Sequence, residues 1–175
     1  MRKHIMIDIE TLGKKDDAVI LSAGAVSFDG KEVKEEFYKE FCVQSQLDIG
    51  RTIDGDTLNW WSQQGGKPPI INDGLLLNAL LGFRNFITAM SFSEPNDEEY
   101  TYIWAHGVTF DITKLQSILP SPPWQHWQIM DCRTLVQLWP ECRKIDKADV
   151  KHHALDDARS QAGWLIELNK KLNFL

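Results

Sequence analysis

Two acidic residues alternate with isoleucines near the start of the chain, and this short stretch constrains the fold more than any other feature. It reads Met6-Ile7-Asp8-Ile9-Glu10-Thr11. The alternation has the period of a β-strand, so a strand over residues 5–9 directs Asp8 and Glu10 to one face. Adjacent anions repel each other and are costly to desolvate, so they indicate a bound cation, for which oxygen-preferring Mg²⁺ and Mn²⁺ are the natural candidates. The alternative is a strand ending at an exposed turn, with both carboxylates in solvent.

Length and charge limit the classes of protein that fit. A chain of 175 residues with 43% hydrophobic residues predicts one globular domain over residues 1–175. A net charge of −6 counts against a broad nucleic-acid-coating surface, which is usually basic. It permits a small nucleic-acid site in which bound metal ions supply the positive charge.

Localisation is predicted from what the sequence lacks. The basic first residues are followed by an apolar run that is broken at Asp8 and has no small-residue cleavage site, so no signal peptide is predicted. No apolar run is long enough to span a bilayer, so no membrane partner is expected. The three cysteines are few, odd in number and widely spaced, which does not fit a disulfide framework. A reducing cytoplasm is the predicted location.

The pattern of elements predicts an α/β fold. Strands are expected over residues 19–28 and 33–43 around the Asp29-Gly30 turn, so the first three strands form an antiparallel meander. Helices are predicted over residues 56–64, ending at Gly65-Gly66, and over 72–91, 110–119 and 131–139, with a final helix starting near Leu155. Short strands over 101–105 and within 124–130 alternate with the later helices. The result is a mixed sheet, antiparallel first and then parallel, flanked by helices.

Further acidic residues lie where predicted helices begin. Asp111 and Asp157 fall in first helical turns, and for Asp111 the helix dipole, which favours an anion there, is by itself a sufficient structural explanation. Asp131 is predicted to cap the helix that follows it. The tandem Trp60-Trp61 either stacks on nucleotide bases or packs in the core.

Taken together, three blocks resemble the DEDDh 3′-to-5′ exonucleases of the ribonuclease H-like superfamily, the class that contains the polymerase proofreading subunits. The blocks are Ile7–Thr11, Ala105–Asp111 and His152–Ala158, in the family's order and across nearly the whole chain. Within the class, residues 56–64 and 130–135 look most like the compact phage and prophage exonucleases and their bacterial exoribonuclease relatives. One departure is that many relatives have an asparagine before the Phe-Asp of the second motif, where this chain has Gly107, or His106 in a shifted alignment.

The resemblance implies a mechanism and its residues. Two Mg²⁺ or Mn²⁺ ions, roughly 4 Å apart, would be held by Asp8, Glu10, Asp111 and Asp157 around the scissile phosphate. The family pattern places a histidine five residues before the last aspartate, which selects His152 over His153 as the general base, and an imidazole pKa of about 6.5 suits that role. The products would be nucleoside 5′-monophosphates. Substrate contacts are expected from a second group of residues: Thr11, Leu12, Trp60, Trp61 and Phe110.

Several alternatives stay open at this point. The carboxylates are compatible with an endonuclease or a hydrolase of short oligonucleotides on the same fold. A catalytically silent nucleic-acid-binding module would be expected to be more basic. A zinc site formed by Cys132, Cys142, His152 and His153 lacks the usual ligand spacing. The choice between single-stranded RNA and DNA stays open, and the resemblance to small exoribonucleases makes a homodimer plausible.

Overall fold

Five strands form one mixed sheet in the computed structural model, which describes residues 3–64, 68–91, 101–144 and 152–175. The strands are β1 (His4–Thr11), β2 (Ile20–Phe28), β3 (Val33–Glu40), β4 (Tyr102–Ala105) and β5 (Ile129–Asp131). Their order is β3-β2-β1-β4-β5. The first three strands pair antiparallel, whereas β4 lies parallel to β1 and β5 lies parallel to β4. The predicted fold class is confirmed.

The helices pack on both faces of this sheet. The described residues form α1 (Val43–Asp48), α2 (Gly55–Gln63), α3 (Leu76–Ser91), α4 (Asp111–Ile118), α5 (Cys132–Leu138) and α6 (Ala154–Leu172), with short 3₁₀ turns at His126–Gln128 and Pro140–Lys144. Asp131 caps α5 as predicted, since its carboxylate accepts the Arg133 backbone N–H at 2.8 Å. The glycines predicted to end α2, Gly65 and Gly66, lie outside the described residues.

Three elements begin or end at other residues than predicted. Strand β3 ends at Glu40 instead of residue 43 because the Gln46 amide takes both backbone groups of Ile20, with bonds of 2.9 and 2.7 Å. The chain turns instead into α1, which the sequence pattern did not show. Helix α3 begins at Leu76 instead of residue 72, since Gly74 has a φ of +84° that a helix cannot contain. The short strand expected within residues 124–130 is present as β5, but it begins only at Ile129, after a 3₁₀ turn.

Alternation along β1 divides the core between the two faces of the sheet. Ile5, Ile7 and Ile9 join the cluster that includes Phe83 of α3 and Leu115 of α4. On the opposite face, Met6 packs with four buried residues of α6, which are Ala158, Ala162, Leu165 and Ile166. Their helical spacing explains this shared face, whereas Leu172 at the end of α6 is exposed. Asp8 lies on the Met6 face and therefore points towards α6.

The start of α6 lies directly against β2 at Gly24. A Cβ atom on Gly24 would be only 2.3–2.4 Å from backbone atoms of Ala154 and Leu155. Gly24 is also the residue of β2 that pairs with Asp8 of β1. The absence of a side chain at this position therefore brings the first turn of α6 close to the acidic end of β1.

We expect Gly24→Ala to lower the free energy of unfolding by about 1–3 kcal/mol, because helix backbone, which cannot rotate away, must move to admit the methyl group. Gly82→Ala is the matched control. Its Cβ would lie 3.7 Å from the Phe37 ring, an ordinary contact, and alanine in place of glycine within α3 should stabilise the protein by about 0.5–1 kcal/mol. Urea unfolding of both variants measures the two effects. Equal effects of the same sign would contradict the close approach.

Candidate active site

Side chains from β1, α6 and the residue pair before α6 meet at one point. Asp8 and Glu10 come from the end of β1, Asp157 comes from the first turn of α6, and His152 lies two residues before that helix. Ligand atoms of Glu10, His152 and Asp157 all lie within 4.8 Å of one another. Glu10 is buried and Asp8 is partly buried, so the exposed-turn alternative is wrong.

Asp111 reaches the same acidic group from α4. The backbone N–H groups of Phe110 and Asp111 donate to the Gly107 carbonyl at 2.8 and 3.2 Å, which starts the helix with the Asp111 side chain buried. Burial raises the pKa of Asp111 to about 7, although the Lys114 ammonium and a backbone hydrogen bond from Ile9 oppose the rise. The structure thus brings together all five residues predicted to be catalytic.

The raised pKa values of the other carboxylates show that their ionised forms are unfavourable at this site. Burial raises the pKa of Asp8 well above its ordinary value, and the negative charges of Asp111 and Glu10 raise it further. The pKa of Glu10 is raised to about 8, first by burial and then by the negative charges of Asp157 and Asp111. Burial also raises the pKa of Asp157, against the opposing effect of His152. An oxygen-rich group whose members resist ionisation together fits a divalent cation, which would relieve the repulsion.

Two supporting residues escaped the sequence analysis. Gln161 is buried and donates from Nε2 to Asp8 Oδ1 at 2.8 Å. Lys114 is fully buried; its Nζ donates to the Lys14 carbonyl at 3.0 Å and lies 3.4 Å from the centre of the Phe110 ring. Each lies one helical turn after a predicted catalytic aspartate, and this spacing was the signal available in the sequence.

A cavity of about 280 Å³ opens beside the acidic group. Its lining includes Glu10, Thr11, Lys14, Trp60 and Phe110. Three of these residues, Thr11, Trp60 and Phe110, were predicted to contact substrate. The cavity joins aromatic surface to the edge of the carboxylate cluster, which suits a nucleotide better than a purely polar ligand.

The two tryptophans have different environments. Trp61 is only 4% exposed, and its indole N–H donates to the Thr11 carbonyl at 3.0 Å. Leu12 is buried in the same core cluster. Both side chains therefore pack in the core, and the contact of Trp61 and Leu12 with substrate stays a prediction. Trp60 is 39% exposed, and its ring centre lies 4.6 Å from that of His152 in an edge-on contact.

The adjacent histidines also point to different surroundings. His152, with a left-handed φ of +61°, lies by Glu10 and Asp157, whereas His153 stacks on Tyr38 with ring centres 4.4 Å apart. Nδ1 of His153 lies 3.3 Å from the Asp156 carboxylate, which is outside the acidic group. The cysteines of the zinc alternative, Cys132 and Cys142, are free and buried in separate clusters. The zinc site is therefore not formed.

A family model described as "3′-5′ exoribonuclease Rv2179c-like domain" matches residues 3–168. The chain belongs to this family. The predicted enzyme class, a 3′-5′ exonuclease, is thereby confirmed. A comparison with curated proteins found no match. Among the described helices of this exonuclease, none is long and apolar enough to cross a membrane.

Solved structures agree on the fold. Exonuclease X in complex with 5′-overhanging duplex DNA is similar with a TM-score of 0.63 and 19% identity, covering 98% of this chain and 94% of that one. The RNase domain of the yeast Pop2 protein is similar with a TM-score of 0.61 and 12% identity, covering 96% of this chain and 76% of that one. The zinc-bound complex of E. coli exonuclease I with single-stranded DNA is similar with a TM-score of 0.54 and 16% identity. This match covers 97% of this chain but 40% of that one.

We expect Asp8→Asn to stabilise the metal-free protein increasingly as the pH rises from 5 to 8. Folding raises the pKa of Asp8, so the folded state retains a proton that the unfolded chain has released, and wild-type stability falls through this range. The variant carries no charge there and relieves Glu10 and Asp111 as well. At pH 8 its Tm should exceed that of the wild type by several degrees, since about 1 kcal/mol shifts Tm by roughly 2–4 °C at this size.

Thermal melts in chelator at pH 5 and pH 8 measure this difference. Adding Mg²⁺ or Mn²⁺ at pH 8 should then raise the Tm of the wild type and leave that of Asp8→Asn nearly unchanged. A Tm difference that shrinks as the pH rises would contradict the repulsion described above.

Proposed function

We propose that the protein removes nucleotides one at a time from the 3′ end of a single-stranded nucleic acid and releases nucleoside 5′-monophosphates. The observation that supports this most directly is the approach of Glu10, His152 and Asp157 within 4.8 Å, beside Asp8 and Asp111 and at the edge of an aromatic-lined cavity. Hydrolysis of a phosphodiester needs charge stabilisation, an activated water and a place for the terminal nucleotide. This arrangement offers residues for each.

Asp8, Glu10, Asp111 and Asp157 would hold two Mg²⁺ or Mn²⁺ ions. When bound, such ions supply positive charge against the scissile phosphate and ease the ionisation of water. Gln161 fixes the Asp8 carboxylate through its 2.8 Å hydrogen bond, so Asp8 keeps one orientation towards the ligands. The zinc-bound state of the similar exonuclease I supports a divalent ion for this chain.

His152 is the proposed general base. Its imidazole accepts the proton of the attacking water as the water oxygen bonds to phosphorus, and the 3′ oxygen of the preceding nucleotide leaves. The edge-on contact with Trp60 and the left-handed backbone at His152 hold the ring beside Glu10 and Asp157. The stacking of His153 on Tyr38 supports the choice of His152 over its neighbour.

The cavity is the proposed site of the 3′-terminal nucleotide. Trp60 and Phe110 offer aromatic surface to its base, and Lys114 holds both the Phe110 ring and the Lys14 backbone in place. The family description favours RNA as substrate, whereas exonuclease X and exonuclease I are seen with DNA. The homodimer and the cytoplasmic location stay predictions.

Exonuclease action is tested with 5′-labelled single-stranded RNA and DNA of one sequence. With Mg²⁺ or Mn²⁺, we expect the label to appear on products that shorten stepwise from the 3′ end, and no products with chelator or with Asp8→Asn. The faster of the two strands identifies the preferred sugar. Cleavage of a circular strand would contradict an activity confined to ends and would support the endonuclease alternative.

The role of His152 is tested against its neighbour. His152→Ala should lower kcat by roughly 10²–10⁴, the usual contribution of a general base, while the Mg²⁺ concentration for half-maximal rate changes little. His153→Ala should leave kcat within a few-fold of the wild type. Loss of metal affinity without loss of kcat at saturating Mg²⁺ would make His152 a metal ligand instead, and damage confined to His153→Ala would reverse the assignment.

A further inference from the structure

Gly107 leaves a space that the side chain of Arg133 fills. Gly107 has a φ of +117°, and a Cβ atom there would lie 2.8 Å from Arg133 Nη2 and 3.3 Å from Arg133 Cζ. Nη2 donates to the His106 carbonyl at 2.7 Å. Because the Gly107 carbonyl accepts the N–H groups of Phe110 and Asp111, the guanidinium lies against the peptide that begins α4. A cation is thereby fixed beside the acidic site.

This cation is exposed, and it forms no ion pair with the residues that the structure describes. In the part of the chain that the structure describes, no carboxylate oxygen lies within 4.0 Å of the Arg133 guanidinium. The adjacent Asp131 is occupied, since its two oxygens accept the backbone N–H groups of Arg133 and Val108 at 2.8 and 3.3 Å. By contrast, Arg159 is paired with Glu36 and Asp156. Arg133 therefore keeps donors and charge available for a ligand.

A second arginine lies on the other side of His106. Arg143 Nη2 lies 3.4 Å from His106 Nε2, and its guanidinium carbon lies 5.5 Å from the centre of the Trp164 ring. Arg143 is also exposed. Two exposed arginines around one histidine form a local basic cluster on a chain whose net charge is −6. An arginine guanidinium matches the oxygens of a phosphate through parallel N–H bonds.

The order of the strands indicates where the basic cluster of Arg133 and Arg143 lies relative to the cavity. The cavity lies by the end of β1, Asp111 follows β4, and Arg133 follows β5. Because β1, β4 and β5 are neighbours that run parallel, their carboxyl ends lie at one edge of the sheet, with the end of β4 in the middle and about 10 Å between the ends of β1 and β5. A strand whose 3′ nucleotide occupies the cavity would pass the acidic group and continue towards Arg133.

We infer that Arg133, with Arg143 behind it, binds an internucleotide phosphate of the substrate strand on the 5′ side of the bond that is cut. This inference rests on the proposed function. It gives the enzyme a contact that a mononucleotide or the 3′-terminal nucleotide alone does not make. It also gives Gly107 a role, because any side chain at that position would displace the guanidinium.

The test uses Arg133→Met and, as a matched control, Arg84→Met. Arg84 likewise donates to a single backbone carbonyl, that of Ser121 at 3.3 Å, but lies on α3, which supplies no residue to the site. Removal of the first nucleotide is timed on strands that carry one uncharged methylphosphonate at the second, third or fourth linkage from the 3′ end. Melting curves check that both variants are folded.

We expect Arg133→Met to raise KM about tenfold with kcat nearly unchanged, as for the loss of one charged hydrogen-bonded contact. The slope of log KM against log salt should fall by about 0.7, the value for one phosphate on a single strand. In the wild type, a methylphosphonate at one of the three linkages should raise KM by the same factor as Arg133→Met does. In Arg133→Met, the same methylphosphonate should raise KM no further. Arg143→Met should cause a smaller loss, and Arg84→Met none.

Other outcomes overturn the inference. A wild-type KM and salt slope in Arg133→Met would show that the guanidinium touches no phosphate. Arg133→Met could instead have a lower Tm and still show the same rise in KM as the wild type when one linkage is a methylphosphonate. That result would show that Arg133 only supports Gly107. If the wild type and Arg84→Met cut no strand at all, the proposed function fails instead, which is a distinguishable result.

Discussion

The mutual repulsion of buried carboxylates is the interaction on which the rest of this structure depends. Asp8, Glu10 and Asp111 have pKa values raised by burial, and the charges of their acidic neighbours add to the rise at Asp8 and Glu10. A chain would separate such groups unless rigid elements held them, and here the sheet register and the contact of α6 with Gly24 do so. The fold thus keeps an unfavourable electrostatic arrangement that a bound cation would make favourable, as is common at functional sites.

Each helix that supplies a carboxylate also supplies its support one turn later. Asp111 begins α4, and Lys114 then holds the Phe110 ring and the loop that carries Lys14. In α6, Gln161 follows Asp157 by one turn and bonds to Asp8 of the neighbouring strand. Residues three and four apart lie on the same face of a helix, so the site and its support share one orientation. Rotation of either helix would therefore disturb ligand and support together.

Local periodicity was enough to predict β1, the antiparallel meander and the start of α6, because alternation and helical spacing report burial directly. It could not predict contacts between distant segments. Gln46 ends β3 by bonding to Ile20, 26 residues away, and no feature near Glu40 signals this. The different fates of Trp60 and Trp61 follow from the hydrogen bond between Trp61 and Thr11, 50 residues away. The resemblance to the exonuclease family selected His152, and the structure adds that the ring of its neighbour stacks on Tyr38.

The Gly107–Arg133 pair shows why net charge is a poor guide to what this surface can bind. The total of −6 describes the field far from the protein, whereas ions in physiological salt screen exposed charges beyond about 8 Å. Within that distance of His106, the exposed charges include the two arginines, and the carboxylate of Asp131 is turned to backbone N–H groups. An acidic chain can therefore present a positive contact to a polyanion when one missing side chain, at Gly107, fixes where a guanidinium lies.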